Sequence, residues 1–96
     1  MGARRKYVGQ CDLVRRKSAS NESKWQAMMG CAEPVTADVF LANVDISDLL
    51  DDGETAREWI AEQRRQDPSL GFYRSWWGPE RAWFIQVAGY EFIFLD

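Results

Sequence analysis

The chain has 96 residues, of which 46% are hydrophobic and 28% charged, with a net charge of −3 and no histidine. That is the make-up of one small globular domain, and no run approaches the roughly eighteen apolar residues of a membrane-spanning helix. Lacking histidine, the chain lacks the commonest general base and the commonest zinc ligand, and Cys11 and Cys31 alone complete neither a four-ligand zinc site nor a disulfide framework.

The first residues, MGARRKYVGQCDLV, are basic but run into Gln10 and Asp12, so they lack the apolar stretch of a secretory signal. Lys6 stands where a myristoylation signal has Ser or Thr. These features predict a cytoplasmic protein. Residues 5–14 alternate with Tyr7, Gly9, Cys11 and Leu13 on one side, which predicts a strand. Two basic triplets flank it, Arg4-Arg5-Lys6 and Arg15-Arg16-Lys17. They are candidate phosphate contacts, and equally the charged ends that keep an edge strand from pairing with another chain.

Residues 18–24, SASNESK, are small and polar and read as a flexible loop. Trp25–Met29 is a short apolar run before Gly30. As a helix it takes Ser20 or Asn21 as N-cap; as a strand it places Trp25, Ala27, Met29 and Cys31 on one face, and the strand is the reading preferred here. Both cysteines are expected to be small, half-buried thiols.

Thr36 is a suitable N-cap for a helix over about 36–44 that carries Val39, Phe40 and Val44 at helical spacing. Asp45, Ser47 and Asp48 then offer local side-chain caps for a short helical turn bearing Leu49 and Leu50. A second helix is predicted over about 53–66. Asp51 and Glu54 have capping-box spacing, Arg64 and Arg65 suit the C-terminal end of the helix dipole, and Asp67-Pro68 stops it. Its apolar stripe is Ala56, Trp59 and Ile60, while Glu54, Glu58 and Glu62 recur every four residues on the opposite side.

Residues 70–96 hold nine of the thirteen aromatic side chains. Breaks at Gly78-Pro79 and Ala88-Gly89 divide them into three strand-length pieces, an antiparallel meander. A two-residue loop at Ala88-Gly89 pairs Val87 with Tyr90, Ile85 with Phe92 and Trp83 with Phe94, which gathers six apolar side chains on one face. Because an unpartnered Arg74 in that core is costly, the preceding strand is expected to turn Tyr73 and Trp77 inward. Phe72, Arg74 and Trp76 then face outward beside Phe84, with Arg74 near Glu91.

The expected fold is therefore a single α+β domain. It has a mainly antiparallel sheet, made of an N-terminal strand and a C-terminal meander, with the two helices on one face. Charge divides sharply along the chain, with a net of +5 over residues 1–24 and −8 over residues 33–62. No catalytic motif, phosphate-cradling glycine loop or cofactor signature is present, so catalysis and a cofactor are not expected. The residues favour a module that binds another protein, of the size and charge of phage- or plasmid-borne inhibitors and immunity proteins. One candidate surface is the aromatic sheet face of Phe72, Arg74, Trp76, Phe84 and Glu91, which would also suit a homodimer. The other is the acidic face of Asp48, Asp51, Asp52, Glu54, Glu58 and Glu62, whose carboxylates resemble the phosphates of a nucleic acid. Direct nucleic-acid binding through the two basic triplets is the alternative.

Overall fold

A computed structural model describes residues 6–10, 19–88 and 90–95, with the backbone alone at 6–10, 19–22 and 90. Among these residues the chain forms an α+β domain around a five-stranded sheet in which every pairing is antiparallel. In chain order the elements are β1 (Lys6–Gln10), α1 (Ala19–Gly30), β2 (Glu33–Val35), α2 (Ala37–Asn43), a 3-10 turn (Ser47–Leu49), α3 (Ala56–Gln66), β3 (Gly71–Trp77), β4 (Glu80–Val87) and β5 (Tyr90–Leu95). The strands lie in the order β1-β5-β4-β3-β2.

Short-range signals set most of these boundaries. Thr36 caps α2 by accepting a hydrogen bond from the Val39 N–H at 3.2 Å, as its position predicts. α3 begins later than expected, because its capping box is Thr55 with Glu58 rather than Asp51 with Glu54. The Glu58 N–H donates to Thr55 Oγ1 (3.2 Å), and the Thr55 N–H donates to Glu58 Oε1 (2.8 Å). Asp51 and Glu54 instead close a turn, with the Glu54 N–H bonded to the Asp51 carbonyl at 3.0 Å. Gly53 sits there at φ +78°, the positive φ that a type II turn demands of its third residue.

The β4–β5 hairpin has the predicted register, with Val87 opposite Tyr90, Ile85 opposite Phe92 and Trp83 opposite Phe94. Its two-residue loop puts Ala88 at φ +52°. A side chain there costs about 1–2 kcal/mol relative to glycine, offset in part by the greater freedom that glycine has in the unfolded chain. Ala88→Gly is therefore expected to stabilise the protein by up to about 1 kcal/mol in urea unfolding. A loss of stability would mean that the loop does not need its positive φ.

The strand order has two outer members. β1 pairs with β5 and breaks register between Tyr7 and Gly9, so a simple alternation does not hold through Lys6–Gln10; residues 5 and 11–14 of the predicted strand lie outside the described ones. β2 was not expected. Pro34 is tolerated in it because β2 is the outermost strand beyond β3, where a missing N–H breaks no ladder.

The two predicted helices pack on one face of the sheet, as expected, and a third, unpredicted helix covers the other. On the first face α2 and α3 bury Phe40, Val44, Trp59 and Ile60 against Phe72, Trp83, Ile85, Val87 and Phe94. Phe40 sits at the centre, its ring 5.1 Å from Phe72, 5.9 Å from Trp83 and 5.8 Å from Phe94. On the second face α1 lays Met28, with Trp25 and Met29 beside it, against Trp77, Ala82, Phe84 and Ile93. The readings of residues 18–24 as a loop and of 24–32 as a strand thus give way to one helix over Ala19–Gly30. Tertiary contact explains it: α1 places Trp25, Met28, Met29 and, just beyond its end, Ala32 over an apolar sheet face that needs covering. One carbonyl left over at the end of α1, that of Met28, accepts a 2.6 Å hydrogen bond from the buried Ser75 hydroxyl. Cys31, directly after the helix, is exposed rather than half-buried.

Candidate functional site

The expected aromatic face is not assembled. A two-residue turn at Gly78-Pro79 pairs Trp77 with Glu80, and hence Trp76 with Arg81, Arg74 with Trp83 and Phe72 with Ile85. Gly78 supplies the positive φ (+58°) required at the first central position of such a hairpin. This register turns β3 over relative to the expectation. Phe72, Arg74 and Trp76 share the face of Trp83 and Ile85, whereas Tyr73, Ser75 and Trp77 lie under α1 with Phe84. Phe72 and Glu91 are each 3% exposed and Phe84 is fully buried, its ring stacked 5.0 Å from Tyr73. Of the five residues, only Trp76, at 45%, and the side chain of Arg74, at 40%, remain substantially exposed.

Arg74 would be costly on this face without a partner. It has one from β2: Arg74 Nη2 donates to Glu33 Oε1 at 3.2 Å, and the guanidinium lies 6.0 Å from the Trp83 ring. Glu91 is therefore not the partner of Arg74. Its Oε2 accepts from Gln86 Nε2 at 3.1 Å, across the β4–β5 register.

The acidic candidates fare differently. Asp51, Asp52, Glu54, Glu58 and Glu62 line one open depression of about 490 Å³, together with Gly53, Ala61 and Arg65. They are not a simple stripe on one helix, since Glu54 precedes α3. The turn at 51–54 and the first two turns of α3 fold the carboxylates together around the N-terminal end of the helix, where the dipole favours negative charge. Asp48 lies on the 3-10 turn, exposed and outside the depression.

These carboxylates divide by what holds them. Glu58 closes the capping box, and Glu54 Oε1 accepts from the Asp51 N–H at 3.0 Å. Glu62 pairs with Arg65 and accepts from Gln66 Nε2. Elsewhere in the acidic segment Asp38 pairs with Arg57. The side chains of Asp48, Asp51 and Asp52 are exposed, and no cation among the described residues neutralises them. The acidic residues are legible in the sequence but this division is not, because the Asp51–Glu54 spacing mimics the capping pair that Thr55 and Glu58 form.

The carboxyl groups of Glu58 and Asp67 are held below their ordinary values by hydrogen bonds. For Glu58 the cause is the Thr55 N–H and then the Thr55 hydroxyl. For Asp67, just past α3, it is the Ser69 hydroxyl, followed by the Ala88 and Ser69 N–H groups. A carboxyl lowered on folding stabilises the native state above its unfolded value, 4.5 for Glu and 3.8 for Asp, and loses that contribution as pH falls through the folded value. The melting temperature of the wild type should therefore fall on acidification below about pH 4. In Glu58→Gln/Asp67→Asn the drop between neutral and acid pH should be smaller, as thermal melts across that range would show. An equal drop in both proteins would leave these two bonds without weight.

Of the basic candidates, Arg4, Arg5, Arg15, Arg16 and Lys17 lie outside the described residues, and Lys6 begins β1. Among the described residues, no group of three or more Asp, Glu or Cys is placed to hold a metal ion, and no helix is long and apolar enough to cross a membrane. Comparison with protein families, with curated proteins and with solved structures finds no match for this chain.

Proposed function

We propose that this protein is a binding module that presents its acidic face to another protein, in the manner of an inhibitor or immunity-type accessory protein. The partner chemistry that fits is a basic groove of the kind that holds nucleic acid, with carboxylates standing in for phosphates. One observation carries the reading. Asp48, Asp51 and Asp52 are exposed and not neutralised by any cation among the described residues, and Asp51 and Asp52 line a depression with three further carboxylates. Concentrating like charges opposes the compact state, and these three side chains cap no helix and close no turn in return. Their charge is thus available for a partner.

The division of labour also selects the variant to test. Glu54 and Glu58 hold the turn and the helix start, so replacing them confounds binding with stability. Asp48→Asn/Asp51→Asn/Asp52→Asn removes charge alone. Immobilised wild-type protein is expected to retain a nucleic-acid-binding protein from host extract, and duplex DNA or RNA should release it. The triple variant, with an unchanged melt, should bind that protein about tenfold or more weakly, a difference of about 1.4 kcal/mol. Equal retention by wild type and variant would remove the acidic face from the function.

A further inference from the structure

Trp76 belongs to neither of the fold's two buried clusters. It is 45% exposed, and α2 and α3 leave it uncovered because they pack around the Phe72, Trp83, Phe92 and Phe94 rings further along the sheet. Directly across the ladder stands Arg81, whose guanidinium carbon lies 4.0 Å from the Trp76 ring centroid. Arg74 is two residues along the same face of β3, already engaged by Glu33. No carboxylate among the described residues pairs with Arg81. A tryptophan stacked by an arginine with free N–H edges is the kind of pair that dominates protein interfaces, and burial of Arg81 in a contact calls for an acidic counterpart.

The chain itself carries that counterpart. Asp51 and Asp52, two of the carboxylates that no cation among the described residues neutralises, line an open depression of about 490 Å³ that also has Gly53 and Ala61 in its lining. They belong to the turn before α3, whereas Trp76 and Arg81 flank the β3–β4 turn, and among the described residues no ion pair joins the two sites.

We propose that the Trp76–Arg81 corner docks on a second copy of this chain, entering the neighbour's acidic depression so that Arg81 meets Asp51 and Asp52. The two surfaces differ, so the contact either closes reciprocally in a two-fold dimer or continues head to tail. The inference rests on the acidic face being a binding face, and it adds a competitor: self-association occupies the surface that a foreign partner would use.

Sedimentation velocity on the full chain tests this. At about 100 µM and low salt the wild type is expected to self-associate, and added salt should dissociate it. Arg81→Glu and Asp51→Lys/Asp52→Lys should each sediment as a monomer with an unchanged circular-dichroism melt. Mixed one to one, they should regain a complex, because the intact corner of the second fits the intact depression of the first. Trp76→Ala should weaken self-association about tenfold or more. A wild type that stays monomeric, an Arg81→Glu protein that associates like wild type, or a mixture that stays monomeric would each overturn the proposal. Capture of the foreign partner separates the two readings. Arg81→Glu should keep it in full, so a self-contact that fails while capture survives removes this inference alone. Reassociation of the mixture together with capture that ignores Asp48, Asp51 and Asp52 would remove the protein-binding reading of the preceding subsection instead.

Discussion

Phe40→Ala is expected to destabilise the protein by about 3–5 kcal/mol, the range for deleting a fully buried aromatic ring. The side chain is completely inaccessible and makes ring contacts with Phe72, Trp83 and Phe94, one from each of the three meander strands. Deleting it leaves a cavity where α2 meets the sheet, bounded by rings that cannot easily collapse inward. Domains of this size have about 5–15 kcal/mol to lose, and each kcal/mol moves the melting temperature by roughly 4–8 °C. The variant should thus be marginal near physiological temperature. Urea unfolding followed by tryptophan fluorescence suits the measurement, since Trp83 lies 5.9 Å from the deleted ring. A cost below about 1 kcal/mol is the range of surface substitutions and would mean that α2 does not pack over this sheet.

Phe84→Ala is expected to cost a similar 3–5 kcal/mol or so, for a different reason. Phe84 is on the opposite face, fully buried beneath α1 and stacked on Tyr73. Its loss should do more than lower global stability. α1 is anchored by Met28, by the half-buried Trp25 and Met29, and by the Ser75 hydroxyl on the Met28 carbonyl. Removing the ring beneath Met28 should free the helix before the rest of the domain, with amide exchange accelerated over residues 24–30 and the β4–β5 ladder retained. Trp76→Ala provides the contrast. Its half-exposed ring contributes a cation–π contact of about 0.5–1 kcal/mol. Had Phe84 been part of an outward partner surface, its replacement would have been as mild as that of Trp76.

The elements written in a few neighbouring residues were legible from the sequence. Thr36 caps α2, Asp67 ends α3, and the Val87–Tyr90 register follows from two apolar rows meeting across a two-residue loop. The acidic block was legible too, because charge is a property of composition. Even the apolar positions of α1 are present in the sequence at helical spacing: Trp25, Met28 and Met29 fall at i, i+3 and i+4. A strand alternation through Trp25, Ala27, Met29 and Cys31 competed with them over the same short stretch, and local pattern cannot rank two such readings.

Tertiary structure decided what depends on residues far apart in the chain. The facing of β3 turned on whether Arg74 had a partner, and that partner, Glu33, lies 41 residues away on a strand with no strong local signal. The face bearing Phe84 acquired its cover from a helix some fifty residues earlier in the chain, beginning in a stretch whose polar composition suggests a loop. The candidate site was reshaped by the same kind of contact: the aromatic surface dispersed to the two sides of the sheet, while the turn at 51–54 and α3 drew the carboxylates into one depression. Caps, turns and periodicity act within about one helical turn. Which face is buried, and which charges remain unpaired, is settled when distant segments close on one another and each finds the surface that removes most apolar area from water.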